Sequence, residues 1–176
     1  IKGKGVLFSK NDIVVYNNNK KDSYKAKNIV IATGSEVASL PGIEIDENNV
    51  ISSTGALSLK KVPKKLAIIG GGYIGLEMGS VWSRLGSDVT VIEFLNHITP
   101  GMDKEISNEF KKILIKQGIK FKMESKVNSV KNTANGVSIN YTDIKNSKNE
   151  TLDFDKVLVS VGRKPYTEGL NLSKVG

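Results

Sequence analysis

The chain has 176 residues, enough for one hydrophobic core, and its composition, 39% hydrophobic and 25% charged, is that of an ordinary globular protein. No stretch approaches the roughly 18 uninterrupted apolar residues of a membrane span, and the absence of cysteine excludes disulfides, thiolate catalysis and cysteine metal sites. A formal charge of +8 comes from 26 basic residues spread along the chain, mostly Lys beside Asn and Ser and with few aromatics, which describes a solvated surface and not a nucleic-acid site.

In chain order, residues 5–16 (GVLFSKNDIVVY) contain two β-rich runs around a polar turn and predict a hairpin or meander. Residues 17–27 read as a polar turn or loop. The short apolar run 28–32 (NIVIA), ending at Thr33, Gly34 and Ser35, predicts a buried strand feeding a tight loop. Residues 36–62 lack sustained periodicity and carry the Pro41-Gly42 turn, so they read as a connector.

From Lys65 onward strand and helix patterns alternate: a strand LAIIG, a helix over 74–85, a strand DVTVIE and a helix over 103–117. Asp103 is the candidate N-cap of the second helix, and Ile106, Phe110, Ile113 and Leu114 share one face, which predicts packing on a sheet. A strand over 119–123 and alternation over 127–154 predict an antiparallel meander. The buried run 157–161 follows, and the tail to Gly176 reads as loop. The runs NIVIATG and KVLVSVG resemble each other. A start at Ile1 with no apolar leader, and an end inside a polar segment, are expected of a piece of a longer protein.

Gly70, Gly72 and Gly75 form G-x-G-x-x-G directly after a predicted strand and at the opening of a predicted helix, the context that makes this pattern informative. Such glycines permit a tight turn, close approach of a pyrophosphate and close helix–strand packing, while the free N–H groups of the helix face the anion. The next strand ends at Glu93, 23 residues after Gly70, where a carboxylate accepts ribose hydroxyls. Residues 94–98 contain no Lys or Arg to receive a 2′-phosphate, so NAD is favoured over NADP. Glu77 is also accounted for by the helix dipole, His97 by an ordinary loop, and Trp82 by the core.

The segment IGGGYIGLEMGSVWSRLGSDVTVIEFL, preceded by IVIATGSEVASLPG and ISSTGALSLKKVP and followed by VSVGRKP, resembles the dihydrolipoamide dehydrogenase family of flavoprotein disulfide reductases. The resemblance implies a Rossmann-like α/β NAD-binding domain with a parallel sheet, helices and an antiparallel β-meander, flanked by pieces of an FAD-binding domain. Residues 1–60 would be FAD-domain segment and connector, 61–161 the NAD domain, and 162–176 the return to the FAD domain. It further implies that Gly70, Gly71, Gly72, Tyr73, Ile74, Gly75, Leu76, Glu77, Glu93, Val127 and Gly162 contact NAD, and that Gly5, Thr33, Gly34 and Ser35 line FAD. Glu77 would be a flavin-side acid and Tyr73 a lid.

Parent enzymes of this family are homodimers that serve 2-oxo acid dehydrogenase complexes through lipoyl domains, and the resemblance is to the mitochondrial form. No nucleic-acid or membrane partner is expected. The redox cysteines, the first FAD glycine loop and the His-Glu base are missing from these residues, so the chain alone is expected to be catalytically incompetent, to bind NAD(H) at most and not to retain FAD. Rival readings are the NAD(P)H domain of a glutathione, trypanothione or mercuric reductase, and a non-catalytic NADH-binding module.

Overall fold

The computed structural model describes residues 1–176, which form two compact units. The first comprises Ile1–Glu36 with Arg163–Gly176, the second Val37–Gly162.

In the first unit, β1 (Lys4–Leu7), β2 (Asp12–Asn17) and β3 (Lys20–Lys25) make an antiparallel meander. The turn at residue 18 is tight enough that Asn18 adopts φ 51°, so the segment read as loop over 17–27 is mostly a third, fully exposed strand. β2 lends its open edge to β3, and main-chain pairing there outweighs the polar side chains. The larger correction is at 28–32. These residues form no strand, and Val30 and Ile31 are 87% and 47% exposed. They have no neighbouring strand to complete their backbone hydrogen bonds, and an apolar run without a partner does not become a buried strand. The tail read as loop contains β13 (Arg163–Pro165), paired with β4 (Ser35–Val37), and a 3-10 turn at Leu172–Lys174.

In the second unit a five-stranded parallel sheet runs in the order β5 (Val50–Ile51), β12 (Lys156–Val159), β6 (Lys65–Ile69), β7 (Asp88–Ile92) and β8 (Lys120–Lys122). The glycine-loop strand β6 is therefore central, between β12 and β7. One core joins this sheet to α1 (Ser53–Leu57), α2 (Tyr73–Arg84) and α3 (Lys104–Lys116) through Leu66, Ile68, Leu76, Trp82, Val89 and Leu114. A second core joins it to the antiparallel meander β9 (Ser125–Thr133), β10 (Gly136–Asp143) and β11 (Lys148–Phe154) through Ala67, Ile69, Ile92, Val137, Ile139 and Tyr141. Alternate residues of β6 thus feed two cores, Leu66 and Ile68 one, Ala67 and Ile69 the other, the pattern of a strand buried on both faces.

The connector over 36–62 is more ordered than its composition predicts, since it carries β4, β5 and α1, the last capped by the Ser52 side chain. The α3 face also departs from expectation. Asp103 caps the helix as predicted, accepting from the amides of Glu105 and Ile106, but only Ser107 and Leu114 are buried. Ile106 and Ile113 are 58% and 50% exposed. The helix is rotated so that the line from residue 107 to residue 114, and not the more apolar line beside it, meets the sheet. No helix is long and apolar enough to cross a membrane.

Candidate functional site

The carboxyl end of β6 opens into the loop that begins at Gly70. Gly70 has φ +106°, and a Cβ built there would lie 2.6 Å from the Ser160 carbonyl at the end of β12. Both facts restrict the position to glycine. Gly75, one turn into α2, faces the Gly70 carbonyl, the Ser160 hydroxyl and Ile68, so any side chain would push α2 off the sheet. Gly72 differs: a Cβ there would meet nothing within 4 Å. It is the N-cap of α2 with no side-chain hydrogen bond to cap the helix, so no capping side chain competes for the amides of the first turn at the positive end of the helix dipole.

Glu93 follows β7 directly and is buried, 7% exposed. Its Oε2 accepts from the Gly71 amide at 2.5 Å and its Oε1 from the Leu95 amide at 2.8 Å. A buried carboxylate held by two amides is fixed in place, and each oxygen keeps lone-pair capacity for a further donor. The backbone around it is tied to β8 and to the start of the meander: the Glu93 amide donates to the Lys122 carbonyl, the Ser125 amide to the Glu93 carbonyl and the Glu124 amide to the Leu95 carbonyl. This brings the start of β9, and with it Val127, to the same edge. Val127 itself is half-buried against the second core.

Tyr73 and Glu77 lie four residues apart on one face of α2, and both are exposed. Ile74 is half-buried and Leu76 fully buried, the latter holding the helix to the sheet. The Gly162 carbonyl accepts from the Ala38 amide, two residues beyond the Ser160 carbonyl that the glycine loop rests against. Within the first unit, Thr33 donates its hydroxyl to the Tyr166 carbonyl, Gly34 accepts from the Tyr166 amide, and Ser35 is bound by the Arg163 guanidinium. Gly5 lies on β1 opposite Val15.

Three features of the site carry no motif. Lys122, beside Glu93 in the sheet, has its ammonium 3.5 Å from the Glu150 carboxylate and over the Tyr141 ring. The Tyr141 hydroxyl donates to Glu150. That hydrogen bond and Lys122 hold the Glu150 carboxyl below its usual range, while the hydrogen bond to Tyr141 raises Lys122. Burial raises the Tyr141 phenol. The Ser160 hydroxyl bonds the carbonyls of Ile69 and Gly70. Thr99 donates its amide to the Gly71 carbonyl at 2.8 Å. The first two depend on cross-strand register, which no local pattern announces. Thr99 precedes Pro100-Gly101, a turn signal that marks a bend but not its partner. His97 is half-buried and bonds only the neighbouring Asn96 side chain.

A central parallel strand, a glycine turn, a helix N-terminus without a side-chain cap and a buried carboxylate just past the adjacent strand define a Rossmann βαβ unit. The chain belongs to the pyridine nucleotide-disulphide oxidoreductases, whose family model matches residues 2–176. It is 56% identical to a dihydrolipoamide dehydrogenase of Chaetomium thermophilum and 51% identical to a mitochondrial dihydrolipoyl dehydrogenase of Arabidopsis thaliana, in each case over the whole of this chain and 35% of the relative. A leghemoglobin reductase of Glycine max is 50% identical over 34% of its length. The chain thus spans about a third of the length of these relatives. Among solved structures, an HOCl-induced flavoprotein disulfide reductase of Escherichia coli superposes with a TM-score of 0.82 at 29% identity, covering 99% of this chain and 38% of that one. LpdA of Mycobacterium tuberculosis shares the fold, with a TM-score of 0.86 at 24% identity, covering 100% of this chain and 39% of that one.

Proposed function

We propose that this chain is the NAD(H)-binding portion of a dihydrolipoamide dehydrogenase. The observation that carries the reading is the pairing of an uncapped helix N-terminus at Gly72 with the buried Glu93 carboxylate on the next strand. The cradle fits a dinucleotide: free amides and the dipole of α2 meet a pyrophosphate, and the remaining lone pairs of Glu93 accept ribose hydroxyls. Val127 borders the adenine and Gly162 the nicotinamide side, and Tyr73 and Glu77 face the flavin from α2.

NAD is preferred to NADP because a 2′-phosphate would meet a fixed carboxylate with no basic residue in 94–98 to offset it. Lys122, the cation nearest along the sheet, is committed to Glu150 and Tyr141. The segment from Gly5 to Ser35 belongs on this reading to an FAD-binding domain whose remaining parts complete the flavin site. In the whole enzyme FAD and a redox disulfide carry electrons from protein-bound dihydrolipoamide to NAD. The residues of this chain hold the nicotinamide nucleotide in place and supply no redox group of their own, so the chain alone is not catalytically competent. On this reading the whole protein works in the mitochondrion, which its identities to mitochondrial relatives support, and there serves 2-oxo acid dehydrogenase complexes as a homodimer through their lipoyl domains.

Calorimetric titration of the 176-residue chain with NADH and NADPH tests this. NADH is expected to bind at least about tenfold more tightly, a difference of about 1.4 kcal/mol, and Glu93→Gln should narrow the ratio by relieving repulsion of the 2′-phosphate. Tighter binding of NADPH to the wild type would reject the assignment.

A further inference from the structure

Thr99 is a β-branched residue at φ +49°, in the left-handed region where such side chains are strained. It is 4% exposed, and two interactions fix it. Its hydroxyl lies 2.7 Å from the hydroxyl of Ser107, itself 1% exposed, on α3. Its amide donates to the Gly71 carbonyl at 2.8 Å. The Thr99 carbonyl accepts from the Met102 amide and closes the turn, and the preceding residue, Ile98, is buried against Gly71.

The Gly71 carbonyl and the Gly72 amide belong to one planar trans peptide, so a donor that pulls the carbonyl one way turns the amide the other way. The Gly71 amide on the opposite side is held by Glu93. Gly71 is thereby held through both of its peptides, its amide in the 70–71 peptide by the Glu93 carboxylate and its carbonyl in the 71–72 peptide by Thr99.

The geometry points to the Thr99–Ser107 hydroxyl pair as a positioning element of the dinucleotide site: it holds Thr99 in its left-handed conformation so that the 71–72 peptide aims the Gly72 amide at the pyrophosphate. This rests on the dinucleotide reading above and adds residues outside the glycine motif to it. The pair acts on the pyrophosphate and not on the adenosine half, whose ribose is held by Glu93. Its loss should therefore separate the two.

The test compares Thr99→Val, which keeps the branched shape and the amide but lacks the hydroxyl, with Thr99→Ser and Ser107→Ala. Affinities for ADP-ribose and for adenosine are read by calorimetry, and exchange of the residue-99 amide by NMR without ligand. For Thr99→Val and Ser107→Ala, ADP-ribose is expected to bind roughly fivefold to tenfold more weakly while adenosine binding is unchanged. The residue-99 amide should exchange at least about tenfold faster while amides of β7 keep their protection. Thr99→Ser should restore both. Unchanged ADP-ribose affinity, or equal losses for ADP-ribose and adenosine, would overturn the positioning role. A wild-type chain that binds neither ligand, yet shows the amide response, would instead reject the dinucleotide reading and leave the hold on the 71–72 peptide standing.

Discussion

NIVIATG at 28–34 and KVLVSVG at 156–162 have nearly the same pattern, and their fates are opposite. In the second, Val157, Leu158 and Val159 are at most 1% exposed, because β12 lies between β5 and β6 and is covered on both faces. In the first, Val30 and Ile31 stand in solvent with no strand beside them. The pair shows that an apolar β-branched run encodes a capacity for burial, and that neighbours decide whether the capacity is used.

Truncation inside the covered run gives the largest contrast. Leu158→Ala should destabilise the second unit by about 2–5 kcal/mol through lost burial and a cavity, read as a lower urea midpoint. A cost below about 1 kcal/mol would show that β12 is no better packed than residues 28–32. Next comes Gly75→Ala, whose Cβ would meet Gly70, Ser160 and Ile68. Overpacking there should cost about 1–3 kcal/mol and displace α2, so that thermal stability and NADH affinity fall together.

A smaller effect comes from the Lys122–Tyr141–Glu150 group, which pins the meander to the sheet. Glu150 titrates below its ordinary value in the folded chain, so its contribution is present above about pH 4.5 and is lost as pH falls through the folded value. Lys122 and Tyr141 titrate above their ordinary values, so theirs are complete below about pH 10 and are lost as pH rises. Tyr141→Phe should lower the plateau by about 1 kcal/mol and flatten the acid limb of Tm against pH. An acid limb as steep as the wild type's would remove Tyr141 as the cause of the Glu150 shift. The smallest effect is Val30→Ser, expected to change stability by less than about 0.5 kcal/mol in this chain. A loss as large as that of Leu158→Ala would mean that residues 28–32 are covered in solution.

Much of the dinucleotide fold was legible because its signals are local. Gly70 must turn left-handed, Gly75 must let α2 touch β6, and Asp103 must cap α3, and each requirement falls on a single residue with a recognisable type. The strand order with β6 between β12 and β7 was not legible, since β12 lies some ninety residues along the chain from β6. The orientation of α3 is not legible for a related reason: the line that meets the sheet carries Ser107 and Leu114 and is less apolar than the line of Ile106, Phe110 and Ile113 beside it, and the Ser107 hydroxyl is taken by the Thr99 turn.

By itself the sequence determined the glycine turn, the helix that follows it, the carboxylate on the next strand and the two-sided apolar character of β6, because steric limits and hydrophobic period act within a few residues. Only the tertiary structure decided that Glu93 and Thr99 hold the two peptides on either side of Gly71, that Lys122 is taken by Glu150 and Tyr141, and that one apolar run is buried while its twin is not. Those outcomes depend on hydrogen-bond partners and covering surfaces contributed by residues distant in the chain, which no local pattern specifies.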